Sequence, residues 1–315
     1  DGAYAGLVPA LEQFVALGDQ PLWEAHCLHF LGATQRHRNR FDDAIDLGQR
    51  ALELYRDAQA SPVHIGRALV TLALSWHPRP AAGADDIDLL ERKRGLLEQA
   101  EAELSRAGDE GAIPLDNARI HLGEALLTLG EAEAGLRAYD RILSGAEQRY
   151  AEGEATPFNA AWGRTRALSL LRRHDQALTE LDALIAQAES GVGHGTSRRT
   201  QLRMDHGRVL REAGRTDEAA SAFLLALGSA RGQYGEGHVA THDGLQWAAL
   251  ALLDAGRPAE ARQVLTEFEA YYDENGEPAD DRRLWCLEQL AACAEALGEP
   301  EVAERWRGEL DAARG

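Results

Sequence analysis

The stretch Arg203–Leu227, RMDHGRVLREAGRTDEAASAFLLAL, decides the fold. It reads as two short helices: Gly207 lets a facing helix approach, Gly214 to Asp217 make the turn, and Ala219, Phe223 and Ala226 form the inner face of the second helix. The same succession of small residue, turn and small residue recurs at a fixed interval. Ala261 lies 42 residues after Ala219 and Ala303 another 42 on, while Ala177 and Gly135 fall at the same interval in the other direction. An internal repeat of this length predicts a stack of helical hairpins, each burying the face its neighbour leaves open.

Composition points the same way. Ala, Leu, Glu and Arg dominate and β-branched residues are scarce, so an all-α chain without strands is expected. A repeat array has no single central core, and the 315 residues are read as one domain, 1–315. The net charge of −19 argues against direct binding of nucleic acid or of an anionic membrane surface. No apolar run approaches the roughly 20 residues that span a bilayer, and the N-terminus lacks the pattern of a signal peptide. Cys27, Cys286 and Cys293 are odd in number and each falls in a helical stretch, which predicts reduced, packed thiols and a cytoplasmic setting.

Leu7, Leu11, Phe14 and Leu17 mark residues 1–17 as a half repeat, the second helix of a hairpin whose first is missing. With Asp1 at the start in place of a methionine, this reads as a fragment of a longer protein. Seven complete hairpins follow, at about 22–57, 62–107, 116–150, 158–190, 200–231, 242–272 and 284–313. The second breaks the rhythm. Its helices, Pro62 to about Trp76 and Ile87 to about Ala107, are separated by HPRPAAGADD at 77–86, so that Ala44 and Gly135 stand 91 residues apart where two periods make 84. Such an insertion is either a functional loop projecting from one face or drift tolerated in a surface turn. Arg307, at the place of Phe223, suits a capping helix with one wet face.

These marks resemble the tetratricopeptide repeat (TPR). Leu122-Gly123, Gly130 and Tyr139 carry the family's pattern in one hairpin, and Gly207, Gly214, Ala219, Phe223 and Ala226 carry it in another. The period of 42 resembles the kinesin-light-chain type, most clearly in GQYGEGHVATHDGLQWAALALLDAGRPAEAR, Gly232–Arg262, with its lead-in of Gly235, His238 and Thr241. The resemblance implies an α-α superhelix (TPR solenoid) of about seven hairpins plus the N-terminal half repeat, whose first helices line a concave, peptide-binding groove. Departures are the insertion, an unclear small residue near Gly95, and the lack of the family's final proline. The Arg-rich coding, with Lys93 the only lysine, resembles actinobacterial proteins in which such arrays follow nucleotide- or DNA-binding domains. That likeness implies a regulatory region with an effector domain N-terminal to Asp1.

With Ala219 as the twentieth position of its repeat, the resemblance turns the second, fifth, sixth and ninth positions to the groove. These are Asn117, Ile120, His121 and Glu124; Asn159, Trp162, Gly163 and Arg166; Gln201, Met204, Asp205 and Arg208; and Asp243, Gln246, Trp247 and Leu250, with His26, His29 and Phe30 matching in the first hairpin. Asn117, His121, Asn159, Trp162, Arg166, Gln201, Asp205, Arg208, Gln246 and Trp247 are the candidate ligand-binding residues. Amide side chains serve an extended peptide backbone, Arg166 and Arg208 a carboxylate or phosphate, and the tryptophans an apolar side chain. Alternatively, Asp205 simply pairs with Arg166 or Arg208.

Other chemistry finds no signature. His26 and His29, with His37 nearby, lack acidic or thiol ligands at helical spacing, and Asp85, Asp86 and Asp88 read as a helix start, so no metal is expected. No phosphate loop, nucleophile elbow, zinc-protease motif or Cys-x-x-Cys occurs, so neither a cofactor nor catalytic residues are expected. The expectation is a scaffold that holds a peptide or protein segment. Its rivals are the sensor region of a larger regulator and, third, an enzyme on a helical scaffold with a pocket around His26, His29 and His121.

Overall fold

The computed structural model describes residues 20–76, 85–191, 198–275 and 281–314, with single positions at 9, 13 and 16. The half repeat at 1–17 and residues 77–84 of the insertion therefore lie outside the described residues, those three positions apart. Among the described residues there is no strand, and seven helical hairpins follow one another. They are α1 (Pro21–His37) with α2 (Phe41–Asp57), α3 (Pro62–Ser75) with α4 (Asp85–Ser105), α5 (Ala112–Thr128) with α6 (Ala132–Leu143), α7 (Ala155–Leu170) with α8 (His174–Glu189), α9 (Arg199–Glu212) with α10 (Thr216–Tyr234), α11 (Val239–Asp254) with α12 (Pro258–Asn275), and α13 (Asp281–Ala296) with α14 (Pro300–Arg314). The chain forms two compact units, residues 1–171 and 172–315.

Local chemistry sets the helix ends. Pro21, Pro62, Pro258 and Pro300 each open a helix, where a missing N–H is no loss and the fixed φ suits the first turn. Between the helices of a hairpin the chain passes through a left-handed residue: Gly130, Gly214, Gly256 and Gly298 have φ of +82°, +76°, +69° and +73°. The next residue's N–H then reaches back to a carbonyl of the last turn, as Arg215 does to Leu210 at 2.9 Å and Arg257 to Leu252 at 2.8 Å. Asn39 and Arg172 stand at the equivalent place with φ of +58° and +59°. Asparagine tolerates this conformation, whereas arginine holds it under strain.

The small residues work by close approach. A Cβ on Gly207 would sit 2.8 Å from the Phe223 ring, one on Gly123 2.6 Å from the Tyr139 ring, and one on Gly32 3.3 Å from the Ala44 carbonyl oxygen. In the second hairpin Gly95 is not the packing residue, since a Cβ there would meet nothing within 4 Å. Gly66 packs against Leu104 instead, and Ala100, four residues before Leu104, is wholly buried. The long α4 displaces these partners along the chain and hides them from a fixed period.

In the first unit Leu28, Tyr55, Leu69, Leu97 and Leu104 form a continuous core. In the second, Leu202, Phe223, Leu252, Leu265 and Leu290 are at most 1% exposed. The three cysteines are buried and unpaired, and burial pushes each thiol above its ordinary pKa. Arg307 points outward and pairs with Glu295, while only Ala303, Trp306 and Leu310 of α14 are buried. No helix among the described residues is long and apolar enough to cross a membrane.

Candidate functional site

The first unit sets its first helices side by side, α1 against α3, α3 against α5 and α5 against α7. On α5, Asn117, His121 and Glu124 follow at helical spacing along one stripe, and on α7 so do Asn159, Trp162 and Arg166. Asn117, Glu124 and Arg166 are exposed, whereas Ile120 and Gly163, also assigned to the groove, are buried.

The α5 and α7 stripes meet electrostatically. His121 Nδ1 lies 3.2 Å from Glu124 Oε2. Burial works against the Glu124 carboxylate, but the hydrogen bond and charge of His121, with the charges of Lys93 and Arg166, bring its pKa below the ordinary value. Lys93 shifts down as well: burial lowers its pKa, the charge of Glu124 opposes this in part, and repulsion from Arg36 adds a smaller push downward. A lone acid is thus surrounded by basic groups, an arrangement suited to a ligand with both charge signs.

Gly163 explains its own burial. The Tyr139 ring of α6 is wholly buried between two glycines, and a Cβ on Gly163 would stand 2.3 Å from it. The phenol hydroxyl has no hydrogen-bond partner among the described residues, and burial pushes its pKa well above the usual phenol range.

In the second unit Gln201, Asp205 and Arg208 follow on α9, with Gln201 and Arg208 exposed and Asp205 part-buried, whereas Met204, also assigned to the groove, is buried. Arg208 bonds Asp205 at 2.8 Å, an ion pair within one helix. The same guanidinium lies 5.1 Å from the centroid of the Trp247 ring on α11, within cation–π range. Trp247 is part-buried and stacks on Phe223 at 5.6 Å and 17°, and Gln246 beside it is half-exposed. Arg211, which the register did not select, also lies over this ring at 5.7 Å and bonds Asp254 at 2.5 Å. Its place one turn beyond Arg208 was the signal available in the sequence.

The lead-in to α11 has a local cause. Gly235 takes φ +85°, the Thr241 hydroxyl donates to its carbonyl at 2.6 Å, and His238 caps the helix by accepting from the Ala240 N–H at 3.1 Å. Thr241 is wholly buried, and its hydrogen bond to Gly235 shapes the link.

Asp116, at the expected start of the third hairpin, lies inside α5. It is 2% exposed, receives Arg149 at 2.9 Å and Tyr150 at 3.2 Å, and lies 3.7 Å from Arg119. Burial raises its pKa against the opposing effect of Arg149. The basic and phenolic partners lie 33 and 34 residues away, a separation no helical periodicity reveals.

The histidines are engaged within the protein. His26 Nδ1 donates to the Leu22 carbonyl at 2.5 Å, and His29 Nε2 lies 2.8 Å from the Thr71 hydroxyl. No group of three or more possible metal ligands occurs among the described residues.

No family model and no curated protein matches the chain. Solved structures do. Nearly identical TPR-like repeats of a putative kinesin light chain from Podosopora anserina align at 14% identity and a TM-score of 0.55, over 63% of this chain and 94% of that one. A Rap protein complexed with Competence and Sporulation Factor aligns at 16% identity and a TM-score of 0.54, over 94% and 76%. The apo form of the quorum sensor NprR from B. thuringiensis aligns at 10% identity and a TM-score of 0.57, over 100% and 98%. At such identities the likeness speaks for the architecture alone, and the architecture is that of a TPR-like, all-α array of helical hairpins.

Proposed function

We propose that the array is a binding module, each unit of which holds an extended peptide or protein segment along the exposed stripes of its first helices. The observation that carries this reading is the contrast along each helix. Residues turned to the second helices are buried, while Asn117, Arg166, Gln201 and Arg208, chosen by the repeat register, stand in the open. Asn117, Asn159 and Gln201 serve the peptide backbone, Arg166 and Arg208 a carboxylate or phosphate, and Trp162 and Trp247 an apolar side chain. The domain is read as non-catalytic, without a cofactor or metal, and the three buried, unpaired cysteines favour a cytoplasmic setting.

Photo-cross-linking tests the face. Short peptides selected from a random library on the whole chain, each carrying a benzophenone, should label α5, α7, α9 or α11. Labelling confined to the even-numbered second helices would overturn the proposal.

A second reading has its own support. One of the similar structures is a quorum sensor and another is a complex with Competence and Sporulation Factor. On that basis the array is the sensing region of a larger regulator, with an effector domain N-terminal to Asp1. Sequencing the natural gene upstream of Asp1 decides it, and an initiation codon directly at this point would remove the idea.

A further inference from the structure

The first unit has a half-open cavity of about 540 Å³ between α1, α3 and α5, within the size range of small-molecule sites. Its lining contains no Asp or Glu, although 52 of the 315 residues are acidic. It does contain Arg67, whose guanidinium makes no ion pair or hydrogen bond with any described residue, and Asn117, whose amide is likewise unbonded among them. On a chain of net charge −19, an acid-free hollow whose guanidinium is unpaired among the described residues attracts an anion.

The walls specify the rest of the ligand. His26 and His64 lie 4.7 Å apart, His64 stacks with Tyr55 at 5.8 Å, and His29 stacks with Phe30 at 5.5 Å. Phe30 and Ile113 at the rim are each 56% exposed, so the mouth of the cavity carries open apolar surface. Tyr55 is wholly buried and lines the cavity, and its hydroxyl has no hydrogen-bond partner among the described residues. Burial, and then the charges of His26, Arg67 and His64, bring the pKa of His29 down to about 4, so this ring is a neutral, stackable surface at neutral pH. Flat π-surfaces with one guanidinium and one amide at the edge match a flat acid.

We propose that this cavity binds a planar aromatic ring bearing a carboxylate. The ring packs among Phe30 and the imidazoles, Arg67 takes the carboxylate through paired hydrogen bonds, and the Asn117 amide donates a further one. A free aromatic acid and the C-terminal aromatic residue of a peptide share this chemistry. The site stands on the cavity alone and does not depend on the peptide-binding reading.

Calorimetry on the whole chain with indole-3-propionate and indole-3-propionamide tests it, because the two probes differ only in the charged group. The acid should bind saturably and about tenfold or more tighter than the amide, the size of one hydrogen bond to a charged group. In Arg67→Gln that preference should vanish, and because Arg67 is exposed the thermal transition should stay where it is. Equal affinity for acid and amide, no binding of either at millimolar concentration, or a preference retained in Arg67→Gln would each overturn the proposal. Ala-Ala-Ala-Trp with a free C-terminus separates the sources: binding as tight as the acid's points to a peptide end, and much weaker binding to a free acid. Library peptides whose binding ignores Arg67, in a chain that also rejects indole-3-propionate, would sink this proposal and leave the peptide reading standing. Acid binding in a chain that selects no peptide would do the reverse.

Discussion

Gly163 and Trp247 occupy the same position of their repeats, 84 residues apart, and each meets the aromatic residue 24 positions before it, Tyr139 and Phe223 respectively. In the first unit Tyr139 fills the space that Gly163 leaves, and nothing at that position reaches the surface. In the second unit Phe223 supports the Trp247 ring from below, and Arg208 and Arg211 lie over it. One register therefore yields a buried floor in one place and a part-exposed aromatic platform in the other, according to the size of a single side chain. The position alone does not bring a side chain to the surface; the volume already taken by the preceding hairpin decides.

The largest effect is expected from Phe223→Ala, which empties a wholly buried site and withdraws the support of Trp247. Equilibrium denaturation should show a loss of about 4 kcal/mol. Gly163→Ala follows, at about 2–3 kcal/mol, because the new methyl would lie 2.3 Å from the buried Tyr139 ring. If the clash is the cause, Tyr139→Leu in the same chain recovers most of that loss in a double-mutant cycle, whereas simple additivity would dismiss it. Trp247→Ala should lower stability by only about 1–2 kcal/mol, since its ring is part-exposed, but should weaken selected peptides severalfold. Tyr139→Phe is the smallest change. Removing a buried hydroxyl without a partner should leave stability unchanged or raise it by about 1 kcal/mol, and a loss beyond that would reveal a bond to this oxygen.

The repeat made most of the fold legible, because the residues that punctuate a hairpin are chosen by local geometry. The glycines at 130, 214, 256 and 298 mark left-handed turns that any reader of the sequence can count. The first helix of the second hairpin, expected from Pro62 to about Trp76, runs Pro62–Ser75. What the period concealed lies where the chain leaves it. Aligning Gly66 with Gly123 puts His64 and Arg67 at the places of His121 and Glu124, yet the insertion and the long α4 disguise that equivalence until Leu104 is seen against Gly66. The Asp116 cluster was hidden for a different reason, since its partners Arg149 and Tyr150 come from the end of a one-turn helix, Ala146–Arg149, that follows α6. For the candidate ligand residues, the sequence could assign a stripe of the helix but not the occupant of the neighbouring volume, as Gly163 and Trp247 demonstrate.

The most direct measurement of the central claim is the dissociation constant of library-selected peptides for the wild-type chain and for Arg166→Ala/Arg208→Ala. Both side chains are exposed, so the double variant should fold with the wild-type thermal transition. If the first-helix stripes hold the peptide, affinity should fall about tenfold or more, as the loss of charge-assisted hydrogen bonds requires. An unchanged dissociation constant would contradict the account.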